Sequence, residues 1–436
     1  MMTTTDLVLD ALRSLHGASA WKLESLRSLR HERYYVGKAQ ETARAVEKLD
    51  CEATVYVDSG EGEARTRGEC AVKLADGASG AEIGAALSRA LVAAAGARNP
   101  WFPLAEPSGA GRSLEASGFE ALEPGAALEG LRSALYRHDG EGGAAINSLE
   151  LFLSRKERRV VNSAGVDVSW TSWAGHLEFV VNAGAGHEQV ELWTERAFAE
   201  PDAEGLAALV RDRLAAVRDR LSAMPTPDCA GLPLVLSGEL AGEVYSYFQA
   251  NLSAQAAYEK RAAFGVGDDT GAPGDGDAIE FTALGALRHA VGGAPYDQDG
   301  YPLGELRCVE AGRVKTLIAP LRYARYLGMA PSGALGLFTL AGGRSTAAEL
   351  RAADHLEVVD FSDFFVNPTG GEFGGEIRLG FLVRDGRRVA VTGGSVTGSM
   401  VANRGRLRLS RELGEKARSL SPELCVLPVV SVAAAG

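Results

Sequence analysis

The sequence predicts an α+β protein, with an N-terminal domain in which helices cover an antiparallel sheet and a strand-rich, barrel-like C-terminal domain carrying one long helix. Three observations predict it. Apolar residues alternate with period two over many short runs, helical faces are few, and 53 glycines supply turns in numbers that a helical bundle does not need. At about 150 residues per domain, 436 residues suggest two or three domains. With 45 Lys and Arg against 57 Asp and Glu, the formal charge of −12 argues against a broad electrostatic grip on nucleic acid. No apolar run approaches the roughly 18 to 20 residues of a membrane helix. Asp6 stands where a secretory signal would be basic and then apolar. Five cysteines, at 51, 70, 229, 308 and 425, form no C-x-x-C pair and fit reduced thiols, so the expected location is the cytoplasm.

Along the chain, 53–58 and 69–74 read as strands around a turn at Gly60–Gly62. Ile83, Leu87 and Leu91 recur every four residues and predict a helix over 81–95, closed by Gly96. The Gly- and Ala-rich stretch 108–143 reads as loop with one short helix over 126–136. From 147 to 194 the alternation of Leu149, Leu151 and Leu153, then of Leu177, Phe179 and Val181, predicts an antiparallel meander, with turns at 162–165 and 182–184. Asp202 suits the N-cap of a helix whose apolar face is Leu206, Val210, Leu214, Val217 and Leu221. Met224-Pro225-Thr226-Pro227-Asp228 cannot continue that helix. The expected division is therefore 1–223, a Pro-rich linker at 224–231, and a second domain at 232–436. There a short strand, 232–236, precedes a long helix, 238–260. Strands follow at 303–310, 313–318, 334–340, 356–360, 377–384 and 387–392, the last two joined by an Asp385-Gly386 turn.

Known catalytic signatures are absent. His31-Glu32 and His187-Glu188 have no second histidine within helical reach, so neither is a zinc-peptidase motif, and both read as surface histidines. Gly393-Gly394-Ser395-Val396-Thr397-Gly398 has the wrong spacing for a nucleophile elbow, and no dinucleotide fingerprint or phosphate-binding loop occurs. The acidic run Asp268 to Asp277 lacks the register of a calcium loop. Arg155-Lys156-Glu157-Arg158-Arg159 reads as a hairpin turn with solvated charges. Cys308 and Cys425 lie in apolar strands as core thiols.

Several blocks, in order, resemble the TldD/PmbA family, also described as modulators of DNA gyrase. They are Asn162-Ser163-Ala164-Gly165-Val166-Asp167, a helix ending Tyr258-Glu259-Lys260-Arg261-Ala262-Ala263-Phe264, and Pro295-Tyr296-Asp297-Gln298-Asp299-Gly300-Tyr301-Pro302. Asn367-Pro368-Thr369-Gly370, the run Gly380 to Gly386, Gly393 to Gly398 and Ser421-Pro422 complete the set. The resemblance implies a metallopeptidase system with two branches. In the zinc-bearing TldD branch this helix carries H-E-x-x-x-H, completed by a later cysteine. Counted back from Lys260, the motif falls on 246–251, where Ser246, Tyr247 and Asn251 replace its three functional groups; 401–420 has no cysteine. The resemblance thus implies the zinc-less PmbA/TldE branch: a subunit without its own cofactor that pairs with a zinc-bearing TldD-like subunit and helps process or degrade unfolded peptides. Gly393, Gly394 and Ser395 are the candidates for close approach of a peptide backbone. The alternatives are a stand-alone peptide- or partner-binding homodimer, and an enzyme built on the Asp268–Asp277 loop or Cys308.

Overall fold

The computed structural model describes residues 3–109, 111–271 and 274–435. The chain opens with α1 (Thr4–Arg13), held by a capping box in which Thr3 and Asp6 exchange hydrogen bonds. Strands β1 (Ala20–Val36), β2 (Ala39–Ser59) and β3 (Thr66–Leu74) follow, then α2 (Gly80–Gly96), β4 (Asn99–Pro100) and α3 (Pro124–Leu135). Next come β5 (Ala144–Asn162), β6 (Asp167–Ala183), β7 (Val190–Phe198) and α4 (Ala203–Leu221). The seven strands form one antiparallel sheet in the order β4-β3-β2-β1-β5-β6-β7. Helices α1 and α2 cover one end of it over Leu23, Val55, Ile83 and Leu87. α3 and α4 cover the other over Leu151, Phe179, Leu131 and Leu214. The helix expected at 81–95 and the helix capped by Asp202 are both present, the second with Gly205 N–H donating to Asp202 at 2.9 Å.

The second half contains β8 (Met224–Pro225), β9 (Leu234–Ser237), α5 (Gly238–Asn251), α6 (Ala254–Tyr258), β10 (Phe281–Leu284), β11 (Glu305–Glu310) and β12 (Arg313–Val314). α7 (Leu321–Leu327), β13 (Leu337–Leu340), α8 (Ala347–Leu350), β14 (His355–Val366), β15 (Glu372–Arg384) and β16 (Arg387–Thr392) come next. The chain closes with β17 (Ser395–Ser399), α9 (Met400–Asn403), β18 (Arg408–Leu409), β19 (Leu413–Lys416), β20 (Ser419–Pro422), β21 (Leu424–Leu427) and β22 (Val430–Ala433). A six-stranded sheet runs β12-β11-β10-β13-β20-β19, and a second runs β18-β21-β9-β14-β15-β16-β8, with β17 and β22 added along β15. α5 packs against strands of both, and its Tyr245, Tyr247 and Phe248 are fully buried in the shared core.

Three expectations are corrected. Both C-terminal sheets are open, so the α+β class holds but neither closes into a barrel: the buried face of α5 packs against strands of both. The helix expected over 238–260 is two, because Ser253 leaves helical geometry and caps α6 by accepting from Ala256 N–H. Arg155–Arg159 is no turn: it lies inside β5, between β1 and β6. Its charges are met along the sheet, Arg158 by Glu24 at 3.3 Å and Arg159 by Asp167 at 2.8 Å.

Candidate functional site

The three positions that the resemblance assigns to a metal motif lie on α5, and there the side chains are occupied by local structure. Ser246 Oγ donates to the Glu243 carbonyl one turn back, at 2.6 Å. Tyr247 is fully buried against Phe248 and Phe264, with ring centres 5.7 and 6.1 Å away. Burial pushes its phenol above the usual value, and the nearby Arg404 guanidinium draws it partly back. Asn251 is the most committed. Its amide nitrogen donates to the carbonyls of Tyr247 (2.9 Å) and Pro368 (2.8 Å), and its oxygen accepts from Ala263 N–H at 2.7 Å. It thus ties α5 to the Asn367–Gly371 turn and to the chain after α6. Gly371, at φ +79°, lets that turn lie against Tyr247, where a Cβ would come 3.2 Å from the ring.

These residues do not fit a zinc ion. Ser246 is a poor ligand, Tyr247 Oη is enclosed, and Asn251 has donors pointed at carbonyls. Residues 401–420 do return to α5, but what they bring is a cation: the Arg404 guanidinium lies 5.1 Å from the Phe264 ring centre.

Gly393 and Gly394, both at φ +74°, form the turn from β16 to β17. Ile377 and these glycines exchange main-chain hydrogen bonds at 2.8 and 3.0 Å, and Ser395 pairs with Ala433 of β22. A Cβ on Gly394 would stand 2.3 Å from the Ala433 carbonyl oxygen, so close backbone approach is indeed what the glycine permits; the backbone approaching is the chain's own.

The aspartates at 268–277 are spent on the loop and on the segments beside it; Ala272 and Pro273 lie outside the described residues. Asp268 accepts from Gly265 N–H, Asp269 from Gly271 N–H, Asp275 pairs with Arg408, and Asp277 pairs with Arg344. Burial pushes the thiols of Cys308 and Cys425 up to about 12, which leaves both protonated and inert at neutral pH.

A concavity lined by aromatic and charged side chains lies elsewhere. A cleft of about 590 Å³ runs between the outer face of β5 and β6 and the loops of the second half. Lys156, Arg158, Trp170 and His176 line one wall, Tyr296 and Arg418 the other. Gly285, Gly292, Gly293 and Gly336 keep side chains off part of it, and a neighbouring hollow of about 570 Å³ continues past Trp173 and Arg288. The Pro295–Pro302 block forms the cleft's inner edge. Asp297 accepts main-chain N–H groups from Asp299 (2.9 Å), Tyr301 (2.9 Å) and Ala334 (3.1 Å), shaping the loop as one turn. Lys22 of β1 pairs with Asp299 at 2.7 Å and so bolts the loop to the first half. Burial alone would lower the Lys22 ammonium, but Asp299, with Tyr56 and Glu24, holds it above its ordinary value. The sequence points to the loop but not to the cleft, since Arg158 reads there as part of a turn and Trp170 belongs to no motif.

Burial, reinforced by Asp299, pushes the Asp297 carboxyl up to about 6. The folded chain therefore holds this proton to a higher pH than the unfolded chain, whose carboxyl titrates near 3.8. Its contribution to stability is complete below about pH 4 and declines as pH rises through 6. Melting curves between pH 4 and 7 should show that decline in the native chain and its absence in Asp297→Asn; identical pH slopes would sink the assignment.

Residues 230–429 match the family described as the PmbA/TldA metallopeptidase C-terminal domain. No curated protein sequence matches the chain. Among solved structures, TldE from Thermococcus kodakarensis superposes with a TM-score of 0.74 at 16% identity, covering 99% of both chains. A proposed modulator of DNA gyrase from Thermotoga maritima gives 0.78 at 15% identity, covering 98% of this chain and 99% of its own. Another from Bacteroides thetaiotaomicron gives 0.78 at 16%, covering 99% of this chain and 98% of its own. At these identities the structural likeness speaks for the fold, and the family match speaks for the second half. No helix among the described residues is long and apolar enough to cross a membrane. Residues 230–429 thus match the C-terminal domain of the PmbA/TldA metallopeptidase family, and over nearly its whole length the chain has the fold of TldE and its structural relatives.

Proposed function

We propose that this chain is a PmbA/TldE-like subunit of a cytoplasmic peptidase that lacks the catalytic zinc on α5, paired with a TldD-like subunit that carries that zinc and does the chemistry. The observation that carries the reading is Asn251. A residue at a metal-ligand position of the related branch has both ends of its amide committed to the chain's own backbone, beside an enclosed Tyr247. Such a site cannot activate water, so the chain's own contribution is to bind and orient.

The substrate in this reading is an unfolded peptide, laid extended in the cleft between the two halves. Trp170 and Tyr296 offer apolar contact, and Lys156, Arg158 and Arg418 favour acidic side chains or a terminal carboxylate. The glycines of the far wall admit main-chain approach. The cleft is preferred to Gly393–Ser395, whose main-chain partners are already within the chain.

Native mass spectrometry of the tagged chain, purified from its own host with metal retained, tests the proposal. A complex with a second protein that itself carries zinc is expected, with zinc-dependent cleavage of an unfolded peptide by the complex and none by this chain alone. A homodimer or monomer without zinc would replace the reading with that of a stand-alone binding protein.

A further inference from the structure

We infer that His176, Glu178 and Glu195 form a divalent-cation site on the open face of the seven-stranded sheet, of the chemical class that takes Zn²⁺ or Mn²⁺. His176 and Glu178 are two apart on β6 and so share a face, and Glu195 of β7 stands directly across from Glu178. One ligand atom from each lies within 4.8 Å of the others. Small rotamer changes would bring them to the roughly 3.3 Å separations that bonds of about 2 Å impose around one ion.

The charge pattern is a separate observation pointing the same way. Glu150 of β5 pairs with Glu178, and Glu178 with Glu195, so three carboxylates run in one row across three strands. Like charges directly opposite on neighbouring strands destabilise a sheet. Among the described residues no Lys or Arg ion pair relieves this row; Glu178 has only the 3.9 Å approach of His176 Nε2. Elsewhere on this face the protein does neutralise its acids: Glu32 is held by Arg30 at 3.2 Å and by Arg44. The row is therefore a place where a bound cation adds what the chain omits.

The histidine is set for ligation. Its ring stacks on Phe152, centres 5.7 Å apart and planes 17° from parallel, which fixes its orientation without using a ring nitrogen. One imidazole with two or three carboxylates is a borderline set: too hard for Cu⁺ and too poor in oxygen for Ca²⁺. Positions left open would take water or a donor from a molecule in the adjoining cleft, whose wall includes His176.

Calorimetric titration of the chelator-stripped full chain with ZnCl₂ alone, and with MnCl₂ alone, tests this. One equivalent should bind, and His176→Ala and Glu178→Gln should each weaken binding at least about tenfold. Glu178→Gln should also raise the melting temperature of the metal-free chain while abolishing the rise on adding metal, a pair of shifts that simple loss of folding cannot produce. No saturable binding at millimolar metal, or binding unchanged in both variants, overturns the site. Zinc binding that survives these variants and disappears in Ser246→Ala would place the ion on α5, overturning both this site and the zinc-less reading.

Discussion

Tyr247→Glu is expected to destabilise the chain by about 4 kcal/mol or more, and the triple variant Ser246→His, Tyr247→Glu, Asn251→His to yield no zinc-dependent peptidase. The single change removes a fully buried ring from its contacts with Phe248 and Phe264. It puts a carboxyl, with the Arg404 guanidinium nearby, into the same buried place, and the lost ring contacts alone are worth a few kcal/mol. The triple variant adds the loss of every Asn251 hydrogen bond. Against a typical total stability of about 5 to 15 kcal/mol, little native population should remain. Urea unfolding of Tyr247→Glu gives the first quantity, and cleavage of an unfolded fluorogenic peptide with added zinc gives the second. A folded triple variant that binds zinc and cleaves would show that the missing ligands were the only obstacle, and the reading of this helix as a committed structural element would fall.

Asn251→Leu should cost about 2 kcal/mol, because it removes all three hydrogen bonds of a buried side chain while changing its volume little. Asn251→Asp distinguishes this account from mere packing. The carboxylate keeps the acceptor for Ala263 but faces the Tyr247 and Pro368 carbonyls with lone pairs instead of donors. It should therefore be at least as damaging as Leu despite its better shape. Denaturation midpoints at unchanged m-value decide it. If Asn251→Asp were the milder of the two, the amide donors would not be what holds α5 to the Asn367–Gly371 turn.

Legibility in the sequence followed local physics. Helices with strong caps, such as α2 behind Ser79 and α4 behind Asp202, announced themselves, as did the Asp385-Gly386 hairpin. β1 and the first half of β2 did not. They form a long ribbon whose far part, from Ala39 to Lys48, is exposed, so nothing selects alternating apolar residues there. Arg155–Arg159 misled for the same reason: charges inside a strand are tolerated where both neighbours supply acids across the ladder. The break between α5 and α6 was invisible because both pieces keep apolar residues facing one core.

By itself the sequence determined the α+β class, the resemblance to the family, and the placing of Ser246, Tyr247 and Asn251, none of them histidine or carboxylate, on one helix. Those are properties of neighbouring residues, of composition and of spacing within one helix. Only the tertiary structure decided what those side chains do, where the cleft lies and which charges meet. Asn251 reaches Pro368, Lys22 reaches Asp299, and Glu150, Glu178 and Glu195 align only through sheet register. Hydrogen bonds and ion contacts act over about 3 to 4 Å of space, whatever the separation along the chain. A pattern read in sequence order sees such partners only when the fold happens to keep them close in sequence.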